Sequence, residues 1–299
     1  MNNIILITTI FPASIDYLDD FFTSLENQIE KNFDVLVVND GIKNFHFFQK
    51  KYFNLNLIEF KSHKSAAKNR EVGINKAKEL KYKKIIWGDS DDFFPKNRIL
   101  EISKLLDNHN IVVNELNLYV NEKFEKALLG KFYKNGLYRI DDIIDKNIIG
   151  FSNLAVKSEI IPDKINFNDD LIAIDWFFAT ILLLKNNYFY FTNTTSSFYR
   201  QHDKNLIGAN TFIDIEKIIL GINVKLVHYN NLTTHTINNS KFNKLFSKKY
   251  KEIEELKAKM LESGFAEIYK SKIKNKTNQS FNGWWSEIIS INQMNKYEN

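Results

Sequence analysis

Lys84-Ile85-Ile86-Trp87-Gly88-Asp89-Ser90-Asp91-Asp92 is a short apolar run that ends in three carboxylates within four positions. Carboxylates this close repel one another unless a cation, Arg or Lys offsets them. A hard divalent ion prefers oxygen ligands and often bridges one or two carboxylates to substrate phosphates. The plainer alternative is a polar turn ahead of a helix that begins at Asn97. The sequence on either side decides between them.

Upstream, strand-like and helix-like patterns alternate. Ile4 to Thr9 is an apolar run closed by Thr8 and Thr9. Leu18, Phe22, Leu25 and Ile29 follow helical spacing, with Asp16 as the expected N-cap. Asp34 to Val38 is a β-branched run ending in Asn39-Asp40-Gly41, and Leu55 to Phe60 is a further strand. Ser65 to Leu80 reads as a helix with Ala66, Gly73, Ile74, Ala77 and Leu80 near one face. Downstream, Ile99, Ile102, Leu105 and Leu106 are spaced for burial. Repeated β-α-β units with short apolar strands predict an α/β fold, a mostly parallel sheet flanked by helices. In such sheets ligands bind beyond the carboxyl ends of the strands. Thr8, Thr9, Asp40 and the Asp89–Asp92 segment all fall there.

Further on, Ile111 to Val113 and Leu118 to Val120 read as short strands. Leu171 to Leu184 reads as a core helix interrupted by one acid, Asp175. Flanked by Ile174, Trp176, Phe177 and Phe178, Asp175 is expected to be partly desolvated. Desolvation raises a carboxyl pKa and makes a better base; a helix cap is the competing role. Beyond Asn210 the pattern turns helical and amphipathic. The expected domains are therefore 1–210 and a helical, basic extension over 211–299.

Five motifs in order resemble those of family 2 glycosyltransferases of the GT-A fold. They are Val37-Val38-Asn39-Asp40-Gly41, Ala67-Lys68-Asn69-Arg70 with Gly73-Ile74, Ile85 to Asp92, Asp175-Trp176, and Tyr199-Arg200-Gln201-His202. The resemblance spans roughly residues 3–208. It implies a nucleoside-diphosphate sugar donor, of which UDP-sugar is the expected kind, and a glycan or lipid-linked acceptor. It implies that Asp40 contacts the nucleotide base and that Asp89 and Asp91, with Ser90 between them, are a DXD pair holding Mn²⁺ or Mg²⁺ on the diphosphate. Asp175 becomes the base that deprotonates the acceptor hydroxyl, with inversion at the anomeric carbon. Thr8, Thr9, Lys68, Asn69, Arg70 and Arg200 are the remaining candidates for donor contacts. His202 is a candidate third metal ligand, against a structural, hydrogen-bonded histidine. Three departures stand out. Ile174 replaces the usual first acid of its pair, Lys68-Asn69 replaces Arg-Asn with two extra residues before Gly73, and Asp203 replaces a Gly.

Two other functions compete. A sugar-phosphate nucleotidyltransferase needs a Gly-rich loop after the first strand to cradle phosphates, and Thr8-Thr9-Ile10-Phe11-Pro12-Ala13 has no Gly. A non-catalytic binding module would be favoured by loss of Asp89, Asp91 or Asp175, and all three are present.

Composition narrows the rest. With no cysteine, disulfides, thiolate metal sites and Cys nucleophiles are excluded. No signal-peptide pattern and no spanning apolar segment are read, so a cytoplasmic protein is expected. Of the net charge of +5, Lys241 to Lys276 alone carries +6, from eleven Lys and five Glu. A solvated helix face is the bland reading of that run. The sharper one is peripheral contact with the inner face of a membrane, aided by Trp284 and Trp285. Nucleic acid is not an expected partner, because the basic run lacks Arg and matches no reader module.

Overall fold

The computed structural model describes residues 2–120, 123–202, 214–277 and 288–295. β1 (Ile4–Ile10), β2 (Phe33–Asn39), β3 (Asn56–Lys61) and β4 (Lys84–Trp87) pair in parallel in the order β3-β2-β1-β4. Every residue of β1 and β2 is buried, which is why both read as continuous apolar runs rather than alternating ones. Between them lie α1 (Leu18–Glu26), α2 (His46–Lys51) and α3 (Ala66–Glu79). Next come α4 (Arg98–Asn108), β5 (Ile111–Val120), β6 (Lys123–Ala127), β7 (Gly136–Arg139) and β8 (Leu154–Lys157). α5 (Ile174–Asn186) and β9 (Tyr188–Gln201) follow.

The alternation of side chains explains the layers. Leu6, Val35, Val37 and Ile86 share one core with Phe21, Phe22 and Leu25 of α1 and Ile99, Ile102 and Leu106 of α4. Ile7 and Val38 face the other way and meet α3, where a Cβ on Gly73 would lie only 3.0 and 3.1 Å from their methyls. The second half of the sheet is mixed: β8 is antiparallel to β4 and β5, β9 is parallel to β5, and β6 and β7 add antiparallel pairs.

Two local expectations differ. Asp16 is not the cap of α1, because Pro12–Tyr17 forms a 3-10 turn in which the Ser14 hydroxyl donates to the Phe11 carbonyl. The two short strands expected over 111–120 are one strand. Of the polar residues between them, Asn114 and Glu115 are buried with partners: the Glu115 carboxylate accepts from the backbone N–H groups of Leu116, Leu129 and Gly130.

The chain divides into two units. One comprises Met1–Asp141, Ile148–Asp169 and Leu182–Lys204; the other comprises Asp142–Asn147, Asp170–Ile181 and Asn205–Asn299. In the second, α6 (Ile215–His235), α7 (Ser240–Lys259), α8 (Phe265–Thr277) and α9 (Ile291–Asn295) follow in order. The Asp214 and Asn239 side chains cap α6 and α7. The boundary expected near residue 210, and Trp284 and Trp285, lie outside the described residues.

Candidate active site

β4 ends at Trp87, and Gly88 lets the chain turn tightly, since a Cβ there would fall 2.7 Å from the Phe94 ring. The three acids that follow part company. Asp92 is buried; its carboxylate accepts from the Ser152 hydroxyl and from the Arg200 N–H at 2.9 Å. Burial pushes its pKa well above the carboxylate range, and Asp91 and Asp89 push the same way. Asp92 therefore pins the turn to β9. Asp89 and Asp91 keep 28% and 21% of their side chains exposed, so they are the carboxylates that a ligand can reach.

Asp89 Oδ1 accepts from Arg70 Nη2 at 2.5 Å. Burial raises the Asp89 pKa, Arg70 opposes this and Asp91 adds to it. Asp91 Oδ2 lies 3.1 Å from His202 Nε2, and the His202 ring stacks on Tyr17 with centroids 4.6 Å apart. The structure thus brings Asp89, Asp91, Arg70 and His202 to one strand end. Among the described residues, no group of three or more His, Asp or Glu side chains is arranged to hold a metal unaided.

Beneath the turn lies Arg98, fully buried, donating from Nη2 to the carbonyls of Trp87 and Ser152 at 2.7 and 2.8 Å. Burial lowers its pKa to about 9 against the pull of Asp92 and Asp89. It stays cationic at neutral pH and offsets the acidic turn from below. The sequence reading missed it; the available signal was an Arg one place before the buried Ile99-Ile102-Leu106 face.

The nucleotide-side candidates are built on β2 and α3. Asn69 is buried, donates to Asp40 Oδ2 at 2.9 Å, and accepts from the Ser62 hydroxyl at 2.7 Å. It holds Asp40, which remains 32% exposed, with His63 Nδ1 3.6 Å away. Gly41 follows in the left-handed region at φ +96°, packed on Pro12. Lys68 is engaged by Glu71 and Asn166 at 2.8 and 2.7 Å. The Arg200 guanidinium donates to Asp20 and to the Asp91 carbonyl, and lies 5.0 to 5.2 Å from the ring centroids of Tyr17, Phe93 and Tyr119. It braces the Asp91 turn. Thr8 Oγ1, Thr9 Oγ1, Ser90 Oγ and Arg70 Nη1 are buried with no hydrogen-bond partner. Such groups cost about 1–3 kcal/mol each unless a ligand satisfies them.

Asp175 belongs to the other unit. It sits in the first turn of α5, where Oδ1 accepts from the Trp176 N–H at 2.7 Å and from Asn147 Nδ2 at 3.3 Å. Trp176 donates to the Ile143 carbonyl at 2.7 Å, and its ring stacks on His228 with centroids 3.7 Å apart. In the same unit Lys249 and Tyr229 bind Asp145 at 2.6 and 2.9 Å.

A model of the family described as "Glycosyl transferase family 2" matches residues 5–206. Comparison with curated proteins gives no match. Among solved structures, the chain is similar to S. aureus TarS 1-349 in complex with UDP, at 17% identity and a TM-score of 0.56 over 77% of this chain and 66% of that one. It is similar to the UDP-GlcNAc complex of the same protein at 18% identity and a TM-score of 0.59, over 77% and 67%. It is also similar to the mannosyltransferase PcManGT from Pyrobaculum calidifontis in complex with GDP-Man and Mn²⁺, at 13% identity and a TM-score of 0.52, over 77% and 64%. The chain spans about two thirds of the length of each. Likeness at these identities is likeness of fold, and the expected GT-A-like α/β architecture with helices at the C-terminal end is what it shows.

Proposed function

The chain belongs to glycosyl transferase family 2, and from that premise we propose that it moves a sugar from a nucleoside diphosphate to the hydroxyl of a glycan or lipid-linked acceptor, with inversion. The observation that carries the reading is the paired Asp89 and Asp91 at the end of β4, each about a quarter exposed and backed by Arg70 and His202. Solved structures with similar folds hold UDP, UDP-GlcNAc or GDP-Man with Mn²⁺, which supports a nucleotide-sugar donor.

Asp89, Asp91 and His202 suit Mn²⁺ or Mg²⁺, whose preferred ligands are carboxylate oxygens, with imidazole tolerated by the former. Only a few protein ligands are on offer, which fits an ion completed by diphosphate oxygens. When bound, such an ion offsets the charge that grows on the leaving diphosphate. The remaining work falls to the chain. Asp40, held by Asn69, meets the base. Arg70, Thr8, Thr9 and Ser90 supply the buried donors and acceptors that still lack partners. Lys68 and Arg200 shape the donor side by bracing α3 and the Asp91 turn. Asp175 takes the proton of the acceptor hydroxyl as its oxygen bonds to the anomeric carbon and the bond to the diphosphate breaks. The transferase chemistry is assigned to residues 1–210, and the basic α7 and α8 of the C-terminal region are assigned peripheral contact with the inner face of a membrane. Among the described residues no helix is long and apolar enough to cross one.

A donor screen tests this reading. UDP-, GDP- and other nucleotide-sugars are incubated with the protein and Mn²⁺ or Mg²⁺, and free nucleoside diphosphate is measured. One donor should be hydrolysed well above the others. No release from any donor would count against transferase activity.

A further inference from the structure

We propose that one face of β5, β6 and β9 is a track for an oligosaccharide acceptor, leading away from the Asp91 turn; the proposal rests on the transferase reading above. Strand register puts the residues in place. Tyr119 pairs with Arg200 and with Phe124, Asn117 pairs with Phe198 and Ala127, and Glu115 pairs with Ser196. Paired residues share a face, so this face reads, from the turn outward, Arg200, Tyr119 and Phe124, then Phe198, Asn117 and Ala127, then Ser196 and Glu115. From Tyr119 to Glu115 is about 13 Å of strand.

The first part is aromatic. Phe124 is 63% exposed, and its ring lies 4.8 Å from that of Phe198 and 5.2 Å from that of Tyr119. Phe93, the residue after Asp92, lies 4.8 Å from Phe198, and the two exchange backbone hydrogen bonds. Half-exposed rings with a fixed base offer flat apolar surface, which suits the C–H face of a sugar ring. The second part is polar. A cavity of about 400 Å³ is lined by Asn97, Asn117, Asn193, Thr194, Thr195 and Ser196, among others. Their groups are already oriented: Asn117 donates to the Ser196 hydroxyl at 3.0 Å, and the Thr195 hydroxyl donates to Asn97 Oδ1 at 3.1 Å. Amides and hydroxyls beside an aromatic platform are the chemistry that recognises carbohydrate. Continuity with the Asp91 turn, through Arg200 packed on Phe93 and Tyr119, selects the acceptor as the occupant. A protein or lipid partner would be served by a uniformly apolar face, and this one turns polar within two residue pairs.

The protein, with UDP and Mn²⁺, is applied to a printed array of defined glycans from monosaccharides to hexasaccharides. The track predicts retention of oligosaccharides of at least one series, with signal rising over its monosaccharide. Phe124→Ala should weaken that retention about threefold to tenfold, and Phe124→Trp should restore it. Thermal unfolding of both variants should match the parent, because the ring is exposed. Retention that does not depend on position 124, or no retention of any oligosaccharide, overturns the track. Donor hydrolysis by the unmodified protein, measured separately, reports on the transferase reading alone. Hydrolysis without Phe124-dependent retention sinks the track and spares that reading; retention without hydrolysis does the reverse.

Discussion

Three adjacent acids have three surroundings. Asp92 is sealed beneath the turn, and burial raises its pKa, with Asp91 and Asp89 adding to the effect. A carboxyl raised in the folded state contributes stability that is present below its unfolded value and is lost as pH rises through the folded value. Asp92→Asn keeps an acceptor for the Arg200 N–H and cannot ionise. Its urea midpoint should therefore exceed that of the unmodified protein at about pH 7, and the gap should close towards about pH 4. A variant less stable than the parent at about pH 7, with a deficit that shrinks on acidification, would show instead that Asp92 is needed as an anion. Asp175→Asn removes a proton acceptor and keeps its shape. Transfer should fall by about 10²–10⁴ while donor binding persists; a loss under about threefold would leave Asp175 only its hydrogen bonds to Trp176 and Asn147. The acidic cluster was plain in the sequence, but the division of labour within it was not. Strand alternation past Trp87 breaks at Gly88, and nothing local says that Asp92 points inward to Ser152, sixty residues on. The same holds for Arg98, whose partners Trp87 and Ser152 come from two other stretches of chain.

At the scale of elements, the site depends on how closely the β4 turn approaches its neighbours. Gly88 has Phe94 and Phe21 against it, with ring carbons 2.7 and 3.3 Å from where a Cβ would be. Both rings are buried in the α1 and α4 core, so neither yields cheaply. Gly88→Ala should cost about 1–3 kcal/mol of stability, read as a lowered denaturant midpoint, and should reduce turnover further by shifting Asp89. Unchanged stability would mean that the core has slack here. Strands β1 and β2 were legible because strands buried on both faces are long apolar runs, and the shorter β3 and β4 through their place in the repeated β-α-β pattern. The second half was less so. β5 reads as two strands because Asn114, Glu115 and Asn117 interrupt its apolar pattern, and only the backbone donors of Leu129 and Gly130 show why a buried Glu is tolerated.

At the scale of the whole molecule, charge and chemistry are separated along the chain. Lys241, Lys244, Lys248 and Lys251 form an exposed stripe at helical spacing on α7, opposite the buried Phe246, Ile253 and Leu256. Each Lys near an anionic surface contributes roughly 1 kcal/mol, screened by salt. The unmodified protein should sediment with anionic vesicles at low salt, and a Lys244→Glu, Lys248→Glu, Lys251→Glu variant should stay in the supernatant. Equal sedimentation of the two would assign the stripe to solvation alone. Metal-dependent sugar transfer at the Asp89–Asp91 turn is tested by nucleoside diphosphate release from the preferred sugar donor in Mn²⁺, measured for the unmodified protein before and after exhaustive EDTA treatment and for Asp91→Asn. Chelation should silence turnover and added Mn²⁺ restore it, and the folded Asp91→Asn variant should show none. Full turnover in EDTA, or in Asp91→Asn, would contradict metal dependence at this turn.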